Sequence, residues 1–268
     1  MRIVPAALGL CLLAFPAEAQ AQLWFPAAGT QSYRYEVVRR LPDRAERHRL
    51  DYDLVSDGTG GVTAVVRGLQ HGEGDGWADD AIEPACRAAM HAGPGEVAHI
   101  ALLPAVNGLD ASFLAPCAPQ ELFLALADIL NVALVQSPHF GIEALSAPGD
   151  THRFAAFDTH FARGTLAADT STSGGAIRFV DAAGSRATIE WAPDPMTLKM
   201  QLSPDGTNQI RLDGTERFVF RLVIDRASGV LLGMTAPQDR LDLIVNFKDA
   251  PPQPLVITRE VSIVPRTP

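Results

Sequence analysis

The stretch THRFAAFDTH, Thr151 to His160, sets two imidazoles and a carboxylate within ten positions. On a strand, His152, Phe154, Ala156, Asp158 and His160 share one face, because successive side chains alternate. Asp158 and His160 then stand about 7 Å apart at their Cα atoms. That is close enough to supply two metal ligands or a base with its orienting carboxylate. His152 lies about 25 Å from His160 along a straight strand, so both reach one ion only if the chain turns between them. Asp158 and His160 are thus weak metal candidates, and the simpler reading is the wet face of a strand. No metal and no cofactor is expected.

LQHGEGDGWADD collects His71, Glu73, Asp75, Asp79 and Asp80. Carboxylates at alternate loop positions can bind calcium, but an EF-hand register from Glu73 needs Gly and Glu where Ala78 and Pro84 stand. The stretch reads instead as an exposed acidic loop around Gly72, Gly74 and Gly76, with Trp77 as a contact or packing residue. His48, His71, His91, His99 and His139 lack ligand spacing, and HExxH, GxSxG and P-loop motifs are absent. Asp-Gly-Thr occurs three times, at Asp57, Asp205 and Asp213, but an aspartic protease needs Asp-Thr/Ser-Gly, so these read as hairpin turns. No catalytic residue is assigned. A hydrolase whose site assembles only in three dimensions remains an alternative.

The chain opens with Arg2, an apolar run from Ile3 to Phe15, and Ala17-x-Ala19 or Ala19-x-Ala21 as cleavage sites. Residues 1–21 read as a cleaved secretory signal peptide, which places the protein in the periplasm or outside the cell. The mature chain, 22–268, is expected to form a single β-rich domain with a helical insertion at about 78–145. The net charge of −9, with no basic cluster, excludes nucleic acid as a partner and disfavours electrostatic attachment to anionic membranes. Cys86 and Cys117 are the two cysteines left after cleavage; they lie 31 positions apart and are expected to form a disulfide.

The positioning elements fall into three zones: strands over about 31–69, helical and irregular segments over about 78–145, strands over about 150–264. Phe218, Phe220, Leu222 and Ile224 alternate with polar residues, as do Leu241, Leu243, Val245 and Phe247. Leu198, Met200 and Leu202, and Ala187, Ile189 and Trp191, repeat the pattern. Such alternation marks strands with one buried and one wet face. Between Glu121 and Gln136 the apolar residues recur at helical spacing, and Asp128 and Asn131 occupy a narrow polar face. At about 24 Å this helix is too short to span a bilayer, so no transmembrane segment is expected after signal cleavage. DDAIEPACRAAMHA reads as a shorter helix that the disulfide would tether to it.

The expected fold is therefore α+β: a curved, incompletely closed antiparallel sheet of about ten strands wrapped around a helical segment, half-barrel-like. In element order and compartment it resembles the half-barrels of periplasmic lipoprotein carriers. That outline implies an apolar ligand, such as a lipid, held without catalysis between sheet and helix. Leu126, Ile129 and Leu130 of the helix, with Phe218, Phe220, Leu243 and Phe247 of the strands, are the expected ligand-binding wall. An ordinary filled core would use the same residues, so an envelope structural module, with a protein as its partner, stays open as the alternative.

Overall fold

The computed structural model describes residues 24–103, 117–163, 166–202, 210–248 and 250–266. The segment read as a signal peptide and the turn expected at Asp205 lie outside the described residues. In chain order the elements are β1 (Gly29–Arg40), β2 (Ala45–Ser56), β3 (Val62–Glu73), β4 (Gly76–Asp79), α1 (Pro84–Ala89), β5 (Ala98–Leu103) and α2 (Gln120–Val135). Then come β6 (Thr151–Phe154), β7 (Phe157–Arg163), β8 (Leu166–Thr172), β9 (Gly175–Ala183), β10 (Arg186–Pro193) and β11 (Met196–Leu202). The chain finishes with β12 (Ile210–Arg217), β13 (Phe220–Asp225), β14 (Val230–Phe247) and β15 (Gln253–Pro265).

The expected α+β class is wrong. The protein is mostly antiparallel sheet: the described residues form fifteen strands in one unclosed sheet and two α-helices. The helical zone was overestimated because Ala98–Leu103 pairs with β3 as a strand. The sheet therefore does not wrap around a helical half of the fold; α2 is a single element laid against it.

The strand count exceeds ten because long strands are broken in two. Each of β6/β7, β8/β9, β10/β11 and β12/β13 is interrupted by two residues: Ala155–Ala156, Ser173–Gly174, Asp194–Pro195 and Phe218–Val219. The pairings on either side continue the same hairpin ladder, β6–β9–β10–β13 on one side and β7–β8–β11–β12 on the other. Both ladders end on β14, whose register against β15 slips between Ala236 and Asp239, at Pro237 and Gln238. The breaks thus align into a crease across five neighbouring strands. Chemistry explains it: prolines cannot donate to the ladder, and Gly174 (φ +130) has room for no Cβ, which would lie 2.6 Å from the Phe154 carbonyl. The crease is tied by Asp194 N–H donating to Gly174 O at 2.9 Å and by Ser173 Oγ and Arg153 Nη2 donating to the Asp194 carboxylate.

Two local expectations change. His152 belongs to β6 and His160 to β7, on opposite sides of the crease, so they do not share one strand. Asp57-Gly58-Thr59 is a turn, with Gly58 at φ +74 and Asp57 Oδ1 accepting from Thr59 N and Gly61 N. Asp213-Gly214-Thr215, by contrast, lies inside β12. There the glycine lets β12 and β14 approach; a Cβ would fall 2.1 Å from the Asp242 carbonyl.

Cys86 of α1 and Cys117, just before α2, form the disulfide, with Cα atoms 5.8 Å apart. Polar contacts clamp α2 and the residue that caps it: Arg39 Nη2 donates to Glu121 at 3.2 Å, Tyr35 Oη to Asp128 at 2.8 Å, and Gln136 Nε2 to the Gly229 carbonyl at 3.0 Å. Among the described residues no helix is long and apolar enough to cross a membrane.

Candidate functional site: a cavity between α2 and the crease

Strand alternation turns Met196, Leu198 and Met200 of β11 and Leu241 of β14 inward, and Phe218 fills the break between β12 and β13. Opposite them α2 presents Phe123, Leu124 and Ala127. A cavity of ≈ 140 Å³ lies between, closed on one flank by Phe157 and by Thr159 and Thr170, whose hydroxyls are hydrogen-bonded across β7 and β8. Its remaining wall is polar: Asp128, Asn131, Glu216 and Arg259.

Three elements supply the charges of that wall, and Asp239 of a fourth joins them behind it. Arg259 of β15 donates from Nε to Asp239 of β14 at 2.5 Å and from Nη2 to Glu216 of β12 at 2.9 Å. Its Nη1 lies 3.6 Å from Asp128 of α2, which also accepts from Tyr35 Oη. The side chains are 11% exposed at Arg259, 16% at Glu216, 5% at Asp128 and 0% at Asp239. One guanidinium therefore faces three carboxyl groups away from water. Burial, then the nearby Asp239 and Asp128 charges, push Glu216 up to about 8 against the pull of Arg259. Burial also raises Asp239. Burial by itself would lower Arg259, but the three carboxyls outweigh it and hold the guanidinium well above its usual value. Oδ1 of Asp239 has no hydrogen-bond partner among the described residues. Glu216 faces it and, as a neutral acid, is the nearby group able to donate.

Burying ions costs several kcal/mol each, and their mutual attraction seldom does more than offset it. A hydrophobic cluster would serve stability as well. Shifted carboxyls beside a cavity make this cluster a candidate functional site.

The residues expected from sequence are distributed as follows. Phe218 lines the cavity. Leu126, Ile129, Leu130, Phe220 and Leu243 are buried in the core away from its wall, and Phe247 is 41% exposed. Asp158 and His160 are exposed on β7, where His160 Nδ1 pairs with Asp169 at 2.6 Å. Among the described residues no three His, Cys, Asp or Glu side chains converge to hold a metal. The acidic stretch at His71 is the β3–β4 hairpin, not a loop, and Trp77 lies against the guanidinium groups of Arg47 and Arg49. Sequence reasoning missed Glu216, Asp239 and Arg259, and placed Asp128 on a polar face although it is buried.

A larger cavity, ≈ 260 Å³, lies between Phe25, the β2–β3 turn and the C-terminal end of α2. Its polar side chains are Ser56, Thr59, Gln136 and Ser137, and among the described residues no ionisable side chain lines it.

No protein-family model and no curated protein matches this chain. Among solved structures, it is similar to mutant porins of Rhodopseudomonas blastica. One shows 9% identity over 90% of this chain and 100% of the porin with a TM-score of 0.16. Another shows 8% identity over the same shares, also with a TM-score of 0.16.

Proposed function

We propose that this is an exported, non-enzymatic binding protein that holds an apolar small molecule or acyl chain between α2 and the creased sheet. The single observation behind this reading is the ≈ 140 Å³ cavity, with apolar walls from α2, β11 and β14 and buried charges at one end. A dry apolar void of about 150 Å³ accepts a benzene-sized guest. Each methylene taken from water contributes about 0.8 kcal/mol. The cavity therefore suits a ring or a few carbons of a longer chain, with the remainder leaving along the helix. Export is supported by the N-terminal sequence and by the disulfide, which persists in oxidising compartments.

Ala127 faces the cavity from α2. Ala127→Trp places an indole in the void. Titration with N-phenyl-1-naphthylamine, whose fluorescence rises in apolar surroundings, tests the reading. Saturable one-to-one binding to the native protein, lost in Ala127→Trp, is expected. No saturable binding, or binding unchanged by the substitution, overturns it.

A further inference from the structure

The polar wall of this cavity narrows the ligand class, and this step rests on the binding reading above. Arg259 is the cation of that wall, and its Nε, Nη2 and Nη1 already face Asp239, Glu216 and Asp128. It has no charge left for a ligand anion. A carboxylate or phosphate entering here would add its charge to a cluster in which two buried carboxylates, Asp128 and Asp239, already face one guanidinium. Like charges in a dry site repel strongly, because little water screens them. The acceptors, in contrast, are in surplus. Asp128 and Glu216 present carboxyl oxygens to the cavity, and Asp239, which does not line it, adds its charge to the cluster through Arg259 and Glu216. Asn131 and the Thr159 and Thr170 hydroxyls add further acceptor oxygens along the same opening.

We infer that the cavity takes an amphipathic molecule whose polar end donates hydrogen bonds, an ammonium most tightly and a hydroxyl next, and that it rejects fatty acids and phosphate esters of the same chain length. The apolar wall binds the chain, and the carboxyl cluster around Arg259 selects the head. When an ammonium head enters, Glu216 releases its proton to water and the ammonium becomes the second cation of the cluster. A hydroxyl head donates to a carboxyl oxygen and leaves the protonation unchanged.

Decylamine, decanol and decanoate share one chain and differ only in the head. Each is titrated at neutral pH against the native protein carrying N-phenyl-1-naphthylamine. Decylamine is expected to displace the probe at a concentration at least tenfold below decanoate, with decanol between them. In Glu216→Gln, which cannot ionise, the amine advantage over decanol is expected to disappear. Decanoate competing as well as decylamine overturns the head-group inference and leaves the cavity reading standing. Failure of the probe itself to bind overturns the cavity reading and this inference with it. An amine preference that survives in Glu216→Gln overturns the assignment of head-group selection to this cluster.

Discussion

Replacing Glu216 by glutamine should change how stability depends on pH more than stability itself. In the folded protein Glu216 titrates at about 8, against 4.5 when unperturbed. Its folded value is raised, so the folded state holds a proton that the unfolded state has released at any pH between those values. The stabilisation is fully present below pH 4.5 and is lost as pH rises through 8. Between the two, stability falls by about 1.4 kcal/mol per pH unit, or about 3–4 kcal/mol from pH 5 to pH 8. At 16% exposure Glu216 is little screened by solvent, though sharing its proton with Asp239 spreads part of the change to that residue. Glutamine keeps the shape and a donor toward Asp239 Oδ1 but cannot ionise. Urea unfolding of both proteins at pH 5, 6, 7 and 8, with the disulfide intact, measures the difference. The native protein should lose stability steadily over this range, and Glu216→Gln should lose several kcal/mol less. Parallel stability curves would refute a neutral, buried Glu216.

Four further outcomes follow from particular contacts. Replacing Cys86 and Cys117 together by alanine should cost about 3–4 kcal/mol, the loop-closure entropy of a 31-residue separation, read as a lower urea midpoint. Gly229→Ala should cost about 1–3 kcal/mol, because Gly229 sits at φ +71 and a Cβ would overlap the Phe25 carbonyl; Gly184→Ala, at φ +62 in open space, should cost less in the same assay. Tyr35→Phe removes the donor to buried Asp128 and should cost about 1–3 kcal/mol by chemical denaturation. Phe140→Ala should cost about 3–5 kcal/mol, since Phe140 packs on Phe154, Phe157 and Trp191, with loss of the near-ultraviolet aromatic signal.

Strands, the long helix and the disulfide were legible because their signals are local. Phe218, Phe220, Leu222 and Ile224 alternate in sequence and all are buried. Helical spacing marked α2 within one residue of its ends. The crease was not legible, because Ala155–Ala156, Ser173–Gly174 and Asp194–Pro195 look like ordinary connections until the ladder aligns them. Gly214 misled for a related reason: Asp-Gly-Thr has the same composition in a turn and in a strand that needs close backbone approach. The charge cluster had no spacing to betray it, since Asp128, Glu216, Asp239 and Arg259 come from four elements. One clue was present. Asp128 interrupts an otherwise apolar helix, and a carboxylate in such a setting needs a buried partner. The helix also misdirected the ligand wall: Leu126, Ile129 and Leu130 follow the apolar stripe into the core, whereas the cavity opens on the face carrying Leu124, Ala127 and Asn131.

The central claim is that the space between α2 and the crease carries a small apolar molecule. Native mass spectrometry of the protein, purified without detergent, tests it most directly, with Ala127→Trp prepared alongside. The account predicts a discrete small-molecule adduct on the native protein that organic extraction removes and that Ala127→Trp lacks. A bare polypeptide mass for both proteins, or the same adduct on both, would contradict it.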